Sequence, residues 1–421
     1  MKLEPPALLT SPREVILSLG LLIAVFLLSL GGEYRAYKRL TRYDDAVIFA
    51  TVEQQYEKRK AERIYQVLKL RSEAGASFYM TAPAALRNLQ GYAVRVWLRT
   101  DRLDFRHYLS GFFAHGAVDA VLPRRQWKFR AGEWFAAQHD EGRSGALFAA
   151  LFTATPLPTE LRTSLGQLGI SHLLAISGFH LGLLSVLLFT LLRFPYRALQ
   201  SRWFPWRNAH RDLFAVTAMI LLGYALFLQL PPSVLRAFAM MLIGFFLYDR
   251  GLRLLSFQSL FIAAVLLIAI WPRLLFSVGF CLSVAGVYYI FLFLHTFADR
   301  GKIFTFVGMH VWVYLMMLPI ALTIFGTFSA LHPLSILWTM LFIPFYPLTL
   351  LLHAAGAGGV LDAPIVWILE LPVSAVRVEA GWWLLISWGA LSLLALPSKT
   401  VKMLLPLLAA AVFVGAVYQV A

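Results

Sequence analysis

The sequence predicts a polytopic α-helical membrane protein, with about ten to eleven transmembrane helices and a small β-rich domain inserted after the first of them. Hydrophobic residues make up 59% of the 421 residues and charged residues only 14%, against roughly 45–50% and about 25% in soluble globular proteins. Mean hydropathy is +0.70. Apolar runs of membrane-spanning length recur along the chain but are missing from 33–143. This composition excludes a soluble enzyme, a disordered scaffold and a disulfide-rich secreted module.

The first apolar segment covers residues 15–30 and is flanked by Arg13 and Glu33. It is at the long end for the hydrophobic part of a signal peptide, and no small-residue cleavage site follows it. We therefore expect an uncleaved anchor helix within an N-terminal segment, 1–32. An extracytoplasmic domain, 33–143, and a helical membrane domain, 144–421, are expected to follow.

The region 33–143 contains segments of strand length that are rich in β-branched and aromatic residues. Charged or turn-forming residues separate them, such as the run 57–60. Strands are predicted over 46–54, 63–70, 76–81, 91–98 and 117–122, with a short helix over 105–114. A barrel of about five strands with a helix before the last one fits an OB-like fold.

Residues 144–421 consist almost entirely of apolar segments. Helices are predicted over 172–192, 213–230, 233–248, 257–271, 274–297, 303–328, 334–353, 382–396 and 401–418. The segment 365–380 is a more polar candidate, since it carries Glu370, Pro372, Arg377 and Glu379. The segment 146–158 is too short to span, which favours an interfacial or re-entrant position.

Basic loops indicate the orientation, because cytoplasmic loops carry an excess of Lys and Arg. Lys and Arg number 37 against 22 Asp and Glu. Four loops concentrate them: 193–211, 250–253, 300–302 and 399–402. From an inner N-terminus all four lie on the cytoplasmic side, provided that 146–158 does not span and 365–380 does. The domain 33–143 then lies outside the cytoplasm.

A polar segment, S-H-L-L-A-I-S-G-F-H-L-G, opens the membrane domain at 171–182. On one continuous helix, small residues of this region share a narrow stripe that lets a second helix approach closely. These are Ser171, Ala175, Gly178, Gly182 and Ser185. The histidines His172 and His180 are separate, because an intramembrane histidine usually faces a cavity, a partner or a polar path. Burial with a satisfied hydrogen bond explains each of them equally well.

Arg236 lies one turn into a helix that Pro231 and Pro232 open. An arginine at the centre of a membrane helix costs roughly 2.5–3.5 kcal/mol on insertion scales. Two interpretations stay open. The side chain either reaches back to the interface, or faces a polar path where it meets phosphates.

The outer domain offers a possible contact for nucleic acid. Arg95, Trp97 and Arg99 share one face of a predicted strand, because side chains alternate along a strand. Tyr79 adds an aromatic ring from another strand. Basic groups and flat aromatic faces are what single-stranded nucleic acid needs. A solvated barrel face with one anchoring tryptophan explains the same pattern.

Residues 172–180, H-L-L-A-I-S-G-F-H, resemble the signature H-L-L-A-[IV]-S-G-[LF]-H of the ComEC competence family. Further motifs follow in family order: P-S-V-L-R-A at 232–237, V-G-F-C-L-S at 278–283, Pro319, Phe325-Gly326 and Ile343-Pro344. The resemblance covers most of 144–350 by motif and the rest by order and length. Phe179 and Cys281 stand where Leu and Gln are common, and Thr339 stands near an expected Asn.

The resemblance implies an inner-membrane channel that translocates single-stranded DNA into the cytoplasm during natural transformation, without catalytic activity or cofactor. Single-stranded DNA and membrane lipid are the expected partners, with a separate DNA receptor, nuclease and ATP-driven motor. The candidates for the DNA path are His172, Ser177, Gly178, His180 and Arg236. Those for DNA binding in the outer domain are Tyr79, Arg95, Trp97 and Arg99. The oligomeric state is not predicted.

A hydrolytic metal site is not expected. The ten histidines form no H-x-H or H-E-x-x-H motif, and such motifs supply the ligands of zinc hydrolases. Longer family members carry a metallo-β-lactamase-like domain with an H-x-H-x-D-H cluster, which nothing here matches. We therefore expect a short form whose nuclease is another protein.

Two other functions remain as alternatives. One is a transporter of small solutes or lipids on an unrelated fold. The other is an intramembrane serine hydrolase that uses Ser177 and His180. On a helix these two residues are about 60° apart, so they touch only if the helix breaks at Gly178. No carboxylate lies nearby in sequence to orient a catalytic histidine.

Overall fold

The first helix, α1, is longer than its apolar core. The computed structural model describes residues 11–60, 63–174, 176–250, 256–297 and 299–420, and α1 covers Pro12–Leu40. Ser11 caps it, because the Ser11 Oγ accepts the Glu14 N–H at 3.2 Å. Its last turns pack Tyr37 and Leu40 against the core of the β domain. The predicted boundary at 32/33 falls inside this helix, and the division into three domains stays a prediction.

Six strands follow α1 and form one sheet. They are β1 (Asp45–Lys60), β2 (Arg63–Ser72), β3 (Ser77–Pro83), β4 (Tyr92–Arg99), β5 (Phe112–Phe113) and β6 (Gly116–Arg125), with α2 (Phe105–Ser110) between β4 and β5. Their order is β5-β3-β2-β1-β4-β6. The two edge strands of this sheet, β5 and β6, are only two residues apart in the chain, so the sheet curls round until its edges approach each other, as in a small, partly open barrel. The predicted last strand, 117–122, lies within β6, which is antiparallel to β4. Strand β5, which is parallel to β3, was not predicted and falls in the segment expected to be helical.

Two local predictions in this domain are wrong. The helix predicted over 105–114 ends at Ser110, because Gly111 has a φ of 98°, which lies outside the helical region. The charged run 57–60 does not break β1 but pairs with the beginning of β2. Glu57, Lys58 and Arg59 are exposed there, so the charges stay solvated on a projecting two-stranded arm.

The core of the β domain follows the alternation of its strands. Val94, Val96 and Leu98 of β4 are fully buried, and the residues between them are exposed. Buried side chains of β2 and β3 meet them from across the barrel, including Leu68 and Phe78. An apolar inner face and a polar outer face are what a small barrel requires.

A helical hairpin connects the β domain to the membrane domain. It consists of α3 (Trp127–Ala136) and α4 (Gly142–Thr153), and a short helix, α5 (Thr159–Gln167), follows. The two arms pack closely, since a Cβ on Gly145 would lie 3.0 Å from the Ala136 carbonyl oxygen. With 12 residues, α4 is too short to cross a bilayer. This agrees with the prediction that the segment 146–158 does not span the membrane.

The membrane domain contains the remaining helices. They are α6 (Ser171–Leu174), α7 (Gly178–Trp203), α8 (Ala209–Phe227), α9 (Pro232–Asp249), α10 (Phe257–Ile270), α11 (Val278–Phe297), α12 (Lys302–Phe325), α13 (Leu334–Ala354), α14 (Asp362–Leu369), α15 (Trp382–Leu394) and α16 (Lys399–Tyr418). Among the described residues, 7 helices are long and apolar enough to cross a membrane: α1, α7, α8, α11, α12, α13 and α16. The predicted class, a polytopic helical membrane protein with a β domain after its first helix, is confirmed. About ten to eleven transmembrane helices were predicted. The predicted spans 233–248, 257–271 and 382–396 are not among the 7, and the last two correspond to helices of only 14 and 13 residues.

The helix predicted over 172–192 is wrong in detail, because the chain breaks between α6 and α7. Ser177 has an extended backbone, with φ −126° and ψ −179°, and the second helix starts at Gly178. The stripe of small residues therefore does not lie on one continuous helix. Its member Ala175 lies outside the described residues.

The span predicted over 365–380 is also wrong. Helix α14 ends at Leu369, and a short strand, β8 (Ala375–Arg377), pairs with β7 (Thr327–Ser329). Glu370 and Pro372 follow the end of the helix, where a polar side chain and a missing N–H disfavour its continuation. Strand β7 precedes α13 and β8 follows α14, and the two strands lie side by side. The chain between them therefore begins and ends at the same end of the bundle. Two predicted crossings, by α13 and by 365–380, would have had the same result, so the side predicted for every later loop is unchanged.

The basic loops lie at one end of the helical bundle. The Arg211 Nε lies 2.6 Å from the Asp249 Oδ1, which places the start of α8 beside the end of α9. The starts of α9 and α11 meet at the opposite end, where Arg236 contacts Gly279. Consequently the loops after α7, α9 and α11 share one end. Arg253 lies outside the described residues.

Helices α12 and α16 extend this arrangement. Leu322, near the end of α12, and Ala416, near the end of α16, pack in one cluster with Phe328. The starts of both helices, at Lys302 and Lys399, therefore lie at the basic end of the bundle. The β domain lies at the other end, where the Arg71 Nη1 donates to the Gln229 carbonyl oxygen at 3.2 Å.

Candidate functional site

Ser177 forms the N-cap of α7. Its Oγ accepts the Phe179 N–H at 3.3 Å, and its own N–H donates to the His180 Nδ1 at 3.3 Å. Such reciprocal bonds form a capping box, in which the third helical residue usually is Glu or Gln. Here a histidine takes that position. Ser177 therefore fixes both where α7 begins and how the His180 ring is turned.

His180 is almost wholly buried, at 1% exposure. Its ring meets two aromatic rings of α13, Phe342 at 5.0 Å and Tyr346 at 5.1 Å between centroids. Since Nδ1 accepts a backbone N–H, the proton of a neutral ring lies on Nε2. That Nε2 makes no hydrogen bond of good geometry among the described residues, and the Leu173 backbone is the polar group that interacts with the ring. His180 is therefore a polar group enclosed by aromatic rings.

The geometry also bears on a serine hydrolase. The Ser177 Oγ lies 3.2 Å from the His180 Nδ1, so the helix break brings a hydroxyl and an imidazole together. The same Oγ accepts a backbone N–H, however, and no carboxylate of the described residues bonds the far nitrogen of the ring. A catalytic serine needs a base that a third group orients. The pair has the geometry of a helix cap.

His172, at the start of α6, connects the same segment to α13. Its Nδ1 lies 3.1 Å from the Gly169 carbonyl oxygen, and its Nε2 lies 3.2 Å from the Thr339 Oγ1. Thr339 is the residue that stands near an expected Asn. In this chain its hydroxyl supplies the contact to His172. Both histidines of the signature segment thus face α13.

The side chain of Arg236 is buried in the protein. It is 3% exposed, and its Nη1 donates to the Gly279 carbonyl oxygen at 3.1 Å. The guanidinium also lies 5.9 Å from the centre of the Phe280 ring, within the range of a cation–π contact. Gly279 and Phe280 belong to the V-G-F-C-L-S segment, so this arginine joins two of the sequence motifs.

Gly178 joins the remaining motif to the same place. A Cβ at Gly178 would lie 3.4 Å from the Ala237 Cβ, next to Arg236 on α9. Residues 172–180, 232–237 and 278–283 thus meet at the start of three helices, and α13 covers His180. We call Ser177, Gly178, His180, Arg236 and Gly279 the motif cluster.

Gly178→Leu is expected to destabilise the protein, because its side chain must displace α9. Overpacking of this kind typically costs about 1–3 kcal/mol. Gly182→Leu is the matched control, since a Cβ there has no neighbour within 4 Å. Thermal unfolding of the purified variants measures the difference. An equal effect of the two substitutions would contradict the close approach of α7 and α9.

The predicted row on β4 lies on one face. Arg95, Trp97 and Arg99 alternate with buried residues and are exposed. Each donates to an aspartate: Arg95 Nε to Asp119 at 2.5 Å, Trp97 Nε1 to Asp45 at 2.9 Å and Arg99 Nη2 to Asp101 at 2.9 Å. The aspartates offset the positive charge that the sequence pattern alone indicates.

Tyr79 lies at a distance from this row. Its strand, β3, is separated from β4 by β2 and β1, so the ring does not extend the row. Lys69 lies opposite it on β2 and pairs with Glu53 at 3.1 Å. Nearby, burial lowers the pKa of Lys128 below its ordinary value, although Glu53 opposes this effect.

One cluster was not predicted from the sequence. His139 lies between His353 and Asp362, at hydrogen-bond distance from both. His139 is 214 positions from His353 and 223 from Asp362, so no local motif indicates the cluster. No group of three or more His, Cys, Asp or Glu in the described part of the chain has the geometry of a metal site.

Comparison with known proteins identifies the family. The chain is 31% identical over 237 residues to ComE operon protein 3 of Bacillus subtilis (strain 168); the match covers 54% of this chain and 27% of the relative. The chain thus spans little more than a quarter of that relative. No solved structure matches it. The Competence protein family matches residues 153–421, which include all the motifs that meet at the motif cluster. The chain belongs to the competence protein family.

Proposed function

We propose that the protein is an inner-membrane channel that carries single-stranded DNA into the cytoplasm during natural transformation. Membership of the competence family supports a role in DNA uptake. The observation that carries the channel proposal is the meeting of three motifs at one end of the bundle, next to the outer domain. A cap, a buried histidine and a buried arginine lie together there. Buried polar groups of this kind in membrane segments usually mark a substrate path.

We assign the outer domain as OB-like and extracytoplasmic. The six-stranded sheet with neighbouring edges supports the OB-like assignment, and the basic loops at the far end of the bundle support the orientation. Arg71 of the sheet donates a hydrogen bond to the Gln229 carbonyl oxygen, in the loop before α9. Arg95, Trp97 and Arg99 lie on the same sheet, with aspartates that limit their attraction for phosphate. Transport needs sites weak enough to release the strand, which suits this balance.

A serine hydrolase is the alternative that one specific observation favours, namely the contact between Ser177 and His180. Ser177→Ala distinguishes the two functions. A channel retains most of its transport, because the loss of one N-cap costs about 0.5–2 kcal/mol. A hydrolase loses its activity.

Uptake of fluorescent DNA tests the proposal directly. A strain that lacks the protein should bind DNA outside but take none into the cytoplasm, and the full-length gene should restore entry. We propose a separate receptor, nuclease and ATP-driven motor as partners, so a strain with these in place is required. Restored import of small solutes without DNA entry would contradict the channel.

The orientation has its own test. In a Cys281→Ser background, Ala74→Cys in the outer domain is expected to react with a membrane-impermeant maleimide added outside the cell. Ser201→Cys, at the basic end of the bundle, is expected to react only after lysis. Both positions are exposed, so accessibility does not limit either reaction. The reverse pattern would invert the whole topology.

A further inference from the structure

A buried chain of hydrogen bonds connects the α3–α4 hairpin to the end of α13. His139 lies between α3 and α4, His353 lies in the last turn of α13, and Asp362 begins α14. The His139 Nδ1 lies 2.7 Å from the Asp362 Oδ1, and the two histidine Nε2 atoms lie 3.0 Å apart. The His353 Nδ1 lies 2.7 Å from the Thr349 carbonyl oxygen. The side chains of both histidines are 0% exposed, and that of Asp362 is 18% exposed.

The geometry of these three hydrogen bonds determines how many protons they need. The Thr349 carbonyl oxygen only accepts, so the His353 Nδ1 carries a proton. A second proton must lie between the two Nε2 atoms, and a third between His139 and Asp362. Two neutral histidines supply two protons. Without the third, two lone pairs face each other across 2.7 or 3.0 Å.

We propose that His139, His353 and Asp362 form a proton-binding site that holds the α3–α4 hairpin against α13. When the site is occupied, His139 is an imidazolium paired with the Asp362 carboxylate, and the site has no net charge. When the proton leaves, one contact of the chain breaks, and the hairpin loses part of its attachment to α13.

The surroundings favour a cation at His139. The Phe148 ring stacks on the His139 ring, with 4.6 Å between centroids and 5° between planes. An aromatic face attracts a cation in such a position. Phe135 and Phe152 lie beside His353, at 5.4 and 5.2 Å. These rings exclude water, which leaves Asp362 as the direct counter-charge of the imidazolium.

The other charged groups near this contact are exposed or paired elsewhere. On the hairpin, Asp140 is exposed, and Arg143 pairs with Glu141 at 2.5 Å and with Glu370, just after α14, at 2.9 Å. Arg143 and its two partners together carry a formal charge of −1. Among its described residues α13 contributes only His353 as a titratable group at this contact. The Gln138 side chain bonds the Gly358 N–H at 3.2 Å and has no charge.

Occupancy of this site connects to the motif cluster through α13. The helix that ends at His353 also carries Phe342 and Tyr346, which enclose His180. A change in the docking of α13 therefore reaches the signature segment. This inference does not depend on DNA being the transported substrate.

Asp362→Asn provides a sharp test. The new amide N–H donates to the His139 Nδ1, so the chain is satisfied with two neutral histidines and no added proton. Histidine ¹⁵N spectra of the full-length protein in lipid at pH 8 should show one imidazolium among the ten histidines, because an unfolded histidine with a pKa of about 6.5 would be neutral there. The imidazolium should disappear in Asp362→Asn and persist in the control, Glu370→Gln. Absence of an imidazolium in the wild-type spectrum overturns the proposal, whatever the variants do.

Thermal unfolding between pH 6 and 9 gives a second readout. If the folded protein binds a proton that the unfolded chain does not, folding takes up a proton, and the stability falls as the pH rises. The unfolding midpoint of the wild type should therefore fall with pH more steeply than that of Asp362→Asn. Equal slopes contradict the proposal. One transition metal per purified chain, lost on His353→Gln, also contradicts it, since the cation between the Nε2 atoms is then a metal.

Discussion

Arg236→Gln is expected to reach the membrane in normal amount and to reduce DNA uptake at least about tenfold. The glutamine side chain is shorter, so it does not reach the Gly279 carbonyl oxygen that Arg236 bonds at 3.1 Å. A hydrogen bond from a charged donor is worth about 1.5–3 kcal/mol, and about 1.4 kcal/mol corresponds to a factor of ten. The starts of α9 and α11 lose a charged hydrogen bond that joins them, while their apolar contacts remain.

Two measurements check this expectation. Uptake of fluorescent DNA is compared with membrane abundance for Arg236→Gln, Arg236→Lys and the control Arg197→Gln, whose arginine is exposed at the opposite end of the bundle. The lysine variant should retain part of the uptake, because one ammonium donor still reaches toward the carbonyl. Normal uptake by a well-inserted Arg236→Gln protein would remove Arg236 from the functional site.

Strong periodicity made much of the fold predictable. The alternation of Arg95, Trp97 and Arg99 with buried residues follows from the pleat of a strand alone, and the spans follow from length and hydropathy. The break in the helix before Gly178 was harder to predict. It depends on Ser177 and His180 forming a helix cap. The same residues fit equally well within one continuous helix, so the sequence alone does not distinguish the two.

Interactions between distant segments could not be predicted at all. The segment 365–380 has enough apolar residues for a span, but Thr327–Ser329 offers a strand partner to Ala375–Arg377, and this pairing replaces the helix. The contact of His139 with His353 joins residues 214 positions apart. For Arg236, the sequence allowed a snorkelling side chain or one in a polar path, whereas the structure buries it against Gly279.

Gly116→Val is expected to destabilise the outer domain strongly. A Cβ at Gly116 would lie 2.2 Å from the Trp97 carbonyl oxygen and 2.9 Å from the Leu98 side chain. Both neighbours belong to β4, which pairs with β6 at this point. The backbone cannot yield without separating the two strands. The adjacent bond from the Arg99 N–H to the His115 carbonyl oxygen, at 2.8 Å, then also breaks.

Overpacking costs about 1–3 kcal/mol, and occasionally more where rigid backbone blocks the new atoms. Hydrogen–deuterium exchange of the full-length protein measures the result, as faster exchange over β4 and β6 with little change in the membrane helices. Ala117→Val is the matched control, because Ala117 is the next residue of β6 and is exposed, and a β-branched residue suits a strand. If the two variants exchange alike, β6 does not close against β4 as described. If only Gly116→Val opens the barrel and DNA uptake fails with it, the intact outer domain is required for transport, since Gly116 belongs to β6 and not to the motif cluster.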